Sequence, residues 1–114
     1  MKTLTLICAL VLAVAAPAAA SSTKRIAVKP KGVAEWTTKR TFGPNEIVGI
    51  YVYVNGREIP DATYRGERGL VWRGSGALVE ARTAKGRGPI RFRVANFRAR
   101  KAAVVRLRLD YAVV

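Results

Sequence analysis

The stretch PIRFRVANFRARKAAVVRLRLDYAV, residues 89–113, decides the fold class. Ile90, Phe92 and Val94 alternate with Arg91 and Arg93, while Val105, Leu107, Leu109 and Tyr111 alternate with Arg106, Arg108 and Asp110. Successive side chains on a strand point to opposite faces, so a period of two sends one set to the core and the other to solvent. Both runs therefore read as half-buried strands with an apolar face and a cationic face. With Phe97 to Ala102 as the connection, the expected arrangement is an antiparallel hairpin. It would place Arg91, Arg93, Arg106 and Arg108 on one outer face, with Arg98, Arg100 and Lys101 crowning the loop.

Working outward, the same period recurs in Arg25 to Val28, Val33 to Thr38, Ile47 to Val54, Arg57 to Ile59, Leu70 to Arg73 and Ala77 to Thr83. These segments are rich in Val, Ile, Tyr and Trp, and most are bounded by Gly, Pro, Asn or Asp, which is strand punctuation. Beyond residue 20, no window of helical length shows a convincing apolar stripe at 3.6 spacing. Asn55-Gly56 between two strand-like arms predicts a type I′ hairpin, because both residues tolerate positive φ. Gly74-Ser75-Gly76 predicts a second hairpin, and Lys85 to Pro89 a looser turn. Ile47 to Val54 reads as a central strand with Val48, Ile50, Val52 and Val54 toward the core and Tyr51 and Tyr53 together on the other face. Trp36 and Trp72 read as core residues. Seven or eight short strands with turns every 8 to 12 residues define an all-β, antiparallel sandwich of immunoglobulin or jelly-roll type, in one domain over residues 26–114.

The N-terminus carries an address. Lys2 is a positive start, Leu4 to Ala16 form an uncharged run of thirteen residues, and Pro17 precedes Ala18-Ala19-Ala20. That is the pattern of a secretory signal peptide over residues 1–20, with cleavage expected before Ser21. The run is shorter than the roughly 20 residues of a membrane-spanning helix, so no transmembrane segment is expected in the mature chain. Ser21 to Arg25 is polar, without periodicity, and reads as a flexible leader. Cleavage removes one lysine, the only cysteine (Cys8) and the only methionine, leaving 94 residues with a formal charge of +13. A domain of that size buries only about 60 to 65% of its unfolded surface and has no disulfide to help it. A disulfide-free exported domain of this kind fits a periplasmic or secreted bacterial protein.

The mature chain has no His or Cys, which excludes Ser-His and Cys-His nucleophiles. Ser75 lacks the glycine spacing of a nucleophile elbow. The seven acids, Glu35, Glu46, Glu58, Asp61, Glu67, Glu80 and Asp110, are scattered among twenty cations and read as surface counter-charges. No clustered oxygens form a calcium loop, and no glycine-rich phosphate loop precedes a helix. No catalytic residue, metal or cofactor is expected, and the chain reads as no enzyme. A charge this high attracts polyanions at long range, and Arg grips phosphate, sulfate and carboxylate bidentately.

Tyr51-Val52-Tyr53-Val54-Asn55-Gly56 runs a strand into a turn, and Pro89 to Asn96 is followed by Val105-Arg106-Leu107-Arg108-Leu109. In these segments, with Trp36 and Phe42 as an early strand, the chain resembles the pre-peptidase C-terminal-type domains, small β-sandwich modules of bacterial secreted proteins. The resemblance implies a non-catalytic accessory or binding module and assigns no binding residue. The acidic and amide residues common in that family are arginines here, so no calcium or carbohydrate role is carried over.

The function expected is an exported basic module that associates with an anionic envelope polymer such as lipopolysaccharide or an acidic polysaccharide. Its candidate ligand-binding residues are Arg91, Arg93, Arg106, Arg108, Arg98, Arg100, Lys101, Tyr51 and Tyr53, and nucleic acid is a nonspecific partner only. The alternative is a protein-interaction module, an inhibitor or assembly subunit, that presents Tyr51, Tyr53 and a strand edge to an envelope protein. An outer-membrane barrel fits less well, because arginines this frequent leave no continuous lipid-facing band.

Overall fold

Alternation along the chain becomes two layers. The computed structural model describes residues 19–43, 45–83 and 87–113. Its nine described strands are β1 (Ala19–Val28), β2 (Val33–Thr37), β3 (Glu46–Val54), β4 (Arg57–Ile59), β5 (Thr63–Tyr64), β6 (Leu70–Gly74), β7 (Ala77–Arg82), β8 (Arg91–Asn96) and β9 (Ala103–Val113). A first sheet has the order β1-β9-β3-β4 and a second the order β2-β8-β7-β6-β5, with every pairing antiparallel. The two pack as a small β-sandwich. Residues 1–18, which carry most of the expected signal peptide, lie outside the described residues.

The core follows the period-two reading. Val105, Leu107 and Leu109 of β9, Val52 and Val54 of β3, Phe92 and Val94 of β8 and Val79 of β7 are all at most 1% exposed. Burying each such side chain contributes about 1.5 to 3 kcal/mol. Trp72 is buried with them, and Trp36 is half-buried with its ring stacked 5.6 Å from that of Phe92. Asn55 (φ 50) and Gly56 (φ 80) take the left-handed conformations that the hairpin demands, as do Ser75 (φ 51) and Gly76 (φ 78). Of the looser turn expected at Lys85 to Pro89, Lys85 and Gly86 lie outside the described residues; Gly88 has φ 94 and is bridged to Phe42 by a reciprocal pair of backbone hydrogen bonds.

Three expectations are corrected. β8 and β9 do not form a hairpin: β8 pairs with β2 and β7, β9 with β1 and β3, and residues 97–102 cross between the sheets. Two strands with one apolar face each bury those faces in a shared core when they belong to opposite layers, whereas a hairpin lays both on the same side of one layer. The expected four-arginine face is thereby divided, Arg91 and Arg93 going to the second sheet and Arg106 and Arg108 to the first. Ser21 to Arg25 are not a leader but the middle of β1, ordered by pairing with Arg106 to Asp110. Their side chains are all exposed, so burial leaves no periodic signal there. The bond expected to be cleaved before Ser21 falls inside this strand, and cleavage would leave Ser21–Val28 paired with Asp110–Ala103. The two-residue β5 is too short to show a period.

The crossover is pinned by Asn96, which is 2% exposed. The two hydrogens of its Nδ2 are shared among the carbonyl oxygens of Val28 (3.2 Å), Lys29 (3.2 Å) and Lys101 (2.8 Å), and its Oδ1 accepts from the Arg98 N–H at 3.0 Å. Asn96→Ala should cost about 1 to 3 kcal/mol in denaturant unfolding, the penalty for leaving buried polar groups unpaired. Asn96→Asp should cost more, because a carboxylate has no N–H for the three carbonyls. The partition of the sheets is checked in a Cys8→Ser background: Glu35→Cys with Arg93→Cys, register partners, should oxidise to a disulfide, and Arg93→Cys with Arg106→Cys should not.

Candidate anion-binding face

Register across the first sheet sorts its outer side chains into rows. Arg25 of β1, Arg106 of β9, Tyr53 of β3 and Glu58 of β4 stand side by side, and the next row is Thr23, Arg108 and Tyr51. The inward turn of Val52, Val54, Leu107 and Leu109 forces this, since their neighbours along the strand must face out. Each tyrosine carries its arginine: the Arg106 guanidinium lies 4.3 Å from the Tyr53 ring centre and that of Arg108 5.2 Å from Tyr51. An exposed cation–π contact is worth about 0.5 to 1 kcal/mol. Its structural effect is to hold each guanidinium over the face of a tyrosine ring on the outer side of the sheet.

Arg108 has a second partner. Its Nε donates to Asp110 Oδ1 at 3.1 Å and its Nη2 to Oδ2 at 2.9 Å, a bidentate fork. These hydrogen bonds, and then the Asp110 charge, raise the Arg108 pKa above the ordinary arginine value. Arg25 and Arg106 have no acidic partner among the described residues. Together with Tyr53, Gly56 and Val104 they line a concavity of about 370 Å³. Further along the same face lies a shallow, open depression lined by Ile47, Gly49, Tyr51 and Asp110, where Ile47 stands 64% exposed.

The remaining predicted residues lie elsewhere. Arg93 sits on the outer face of the second sheet between two acids, with Glu80 at 3.5 Å and Glu35 at 4.0 Å. Arg91 is beside Thr37 and Arg82 in register. Arg98, Arg100 and Lys101 occupy the crossover at one end of the sandwich. Four of the predicted nine, Tyr51, Tyr53, Arg106 and Arg108, therefore come together. Sequence reasoning missed Arg25, whose place beside Arg106 follows only from the β1–β9 register.

It also missed a cleft of about 340 Å³ between the β1 and β2 edges. There Lys24 lies over Trp36 at 5.8 Å, and Arg40 packs against Tyr111 and Phe42 at 4.3 and 5.0 Å while paired with Glu46 at 2.5 Å. Among the described residues no group of three His, Cys, Asp or Glu side chains is placed to hold a metal ion, and no helix is long and apolar enough to cross a membrane. No protein-family model, curated protein or solved structure matches the chain.

Asp110 is the acid paired with an arginine of this face. Asp110→Asn should release Arg108 and tighten binding to a heparin column, read as elution at higher salt. Glu80→Gln, which alters the opposite face, should shift elution less.

Proposed function

We propose that the protein is a non-catalytic, exported binding module that holds an acidic envelope polymer against the outer face of its first sheet. The observation that carries this is the Arg25, Arg106 and Arg108 set backed by Tyr53 and Tyr51. Arg106 and Arg108 stand about 7 Å apart along one strand, the rise of two residues. Arg25 flanks Arg106 one strand away. Such a ladder meets anions repeated along a chain, and the tyrosine faces add flat apolar surface for the rings between those anions.

The acids support a role without catalysis. Glu35, Glu46, Glu80 and Asp110 each lie against an arginine, as counter-charges do. The resemblance to pre-peptidase C-terminal-type modules points the same way. Export rests on the N-terminal pattern of Lys2, the Leu4 to Ala16 run and Ala18 to Ala20, and it makes lipopolysaccharide and acidic polysaccharide the accessible polymers.

A second reading, a protein-interaction module, draws on the short β4, which pairs only with Val52 to Val54 of β3. Among the described residues, Glu46 to Tyr51 have no strand on that side. Strand addition there would depend on backbone hydrogen bonds and would be nearly insensitive to salt.

Titration with lipopolysaccharide and with polygalacturonate across a salt series tests the proposal. The Arg25→Ser/Arg106→Ser/Arg108→Ser variant should bind at least tenfold more weakly with a shallower salt dependence, while Arg91→Ser/Arg93→Ser stays within about twofold of wild type. Equal losses in the two variants would leave net charge as the only determinant and overturn the assignment of the face.

A further inference from the structure

A second cationic surface lies at one end of the sandwich. Four connections meet there: residues 29–32, 55–56, 75–76 and 97–102. They are knit together by backbone hydrogen bonds from Lys31 to Arg98, Asn96 to Gly32, Phe97 to Gly76 and Asn55 to Val104, and by the buried Asn96 amide. The four connections carry five cations, Lys29, Lys31, Arg98, Arg100 and Lys101, and no acid. None of the five has an ion pair among the described residues. In their midst Phe97 is 57% exposed. Nearby at the start of β2, Val33 is 51% exposed.

We propose that this end docks on the surface of an anionic lipid bilayer, with Phe97 entering the interface and the five cations resting on the headgroup phosphates. Charge alone fits any polyanion, but Phe97, which directly follows β8 and has its N–H bonded to the Gly76 carbonyl, exposes a phenyl ring to water beside those cations and gains by entering an apolar phase. Cations that ring an apolar group supply the two signals, electrostatic and hydrophobic, that reversible membrane binding requires. Asn96 makes the surface ready-made: it ties the β1–β2 and β8–β9 connections to one another, so little loop order is lost on docking. This end is distinct from the tyrosine–arginine face, and the inference does not rest on that face's function.

The test is co-sedimentation of the full chain with phosphatidylcholine vesicles with and without phosphatidylglycerol. The quantity compared is the gain in affinity due to the anionic lipid, so that any contribution of residues 1–20 is common to all variants. Lys29→Ser/Arg100→Ser/Lys101→Ser should lose about a hundredfold of that gain, at about fivefold for each cation near the surface. Phe97→Ser should lose about tenfold on anionic vesicles. All four side chains stand in solvent, and unchanged thermal melting checks that the fold is kept. In Phe97→Trp the added indole emission should shift to shorter wavelength on anionic vesicles, a readout that needs no loss of binding. Wild-type affinity in the triple variant, wild-type affinity in Phe97→Ser, or no shift in Phe97→Trp would each overturn the proposal. So would a loss in Arg25→Ser/Arg106→Ser/Arg108→Ser as large as in the triple variant, since the lipid would then be held by the face.

Discussion

The Asn96 side chain holds together the point on which the architecture turns. The backbone carbonyls of Val28 at the end of β1, Lys29 and Lys101 converge on one buried amide, and the same side chain accepts the Arg98 N–H of the crossover. Without that satisfaction, the corner where β8 leaves one sheet and β9 enters the other would bury unpaired polar groups at a cost of about 1 to 3 kcal/mol each. With it, the chain changes layer in six residues. β8 and β9 then lie between two partners each in opposite sheets, and both contribute to one core.

That crossover also distributes the charge. A chain of net charge +14 has too few acids to answer its cations everywhere. On the second sheet Arg93 stands between Glu35 and Glu80. On the first, Asp110 takes Arg108 alone, and Arg25 and Arg106 are left beside each other, Arg106 lying over the Tyr53 ring. Neighbouring like charges across strands destabilise by a few tenths of a kcal/mol or more. The cation–π contacts of Arg106 and Arg108 are of about the same size and offset this repulsion. The end of the sandwich is more one-sided still, with cations and an exposed phenyl ring and no acid in its four connections.

Much of this was legible in the residues. The hydrophobic period placed all the longer strands to within a few residues, apart from the start of β1, and identified the inward set of β3 and the outward pair Tyr51 and Tyr53. Asn55-Gly56 and Ser75-Gly76 announced their turns because positive φ is cheap for few residues. The start of β1 was illegible because its side chains are not buried. Arg25 opened a predicted strand, but its place beside Arg106 depends on the β1–β9 register, which no local pattern encodes.

Period two in a sequence determines which side of a strand is apolar, since that depends only on the alternation of side chains along one backbone. It fixed an all-β chain, its core residues and two cationic strand faces. It does not determine which strand lies next to which, because a strand with one apolar face is equally content beside its sequence neighbour or across the core from it. That choice was made by the tertiary structure, through the register of β9 with β1 and β3 and the anchoring of the crossover by Asn96. It is what divided the four arginines and brought Arg106 and Arg108 to Arg25, Tyr51 and Tyr53.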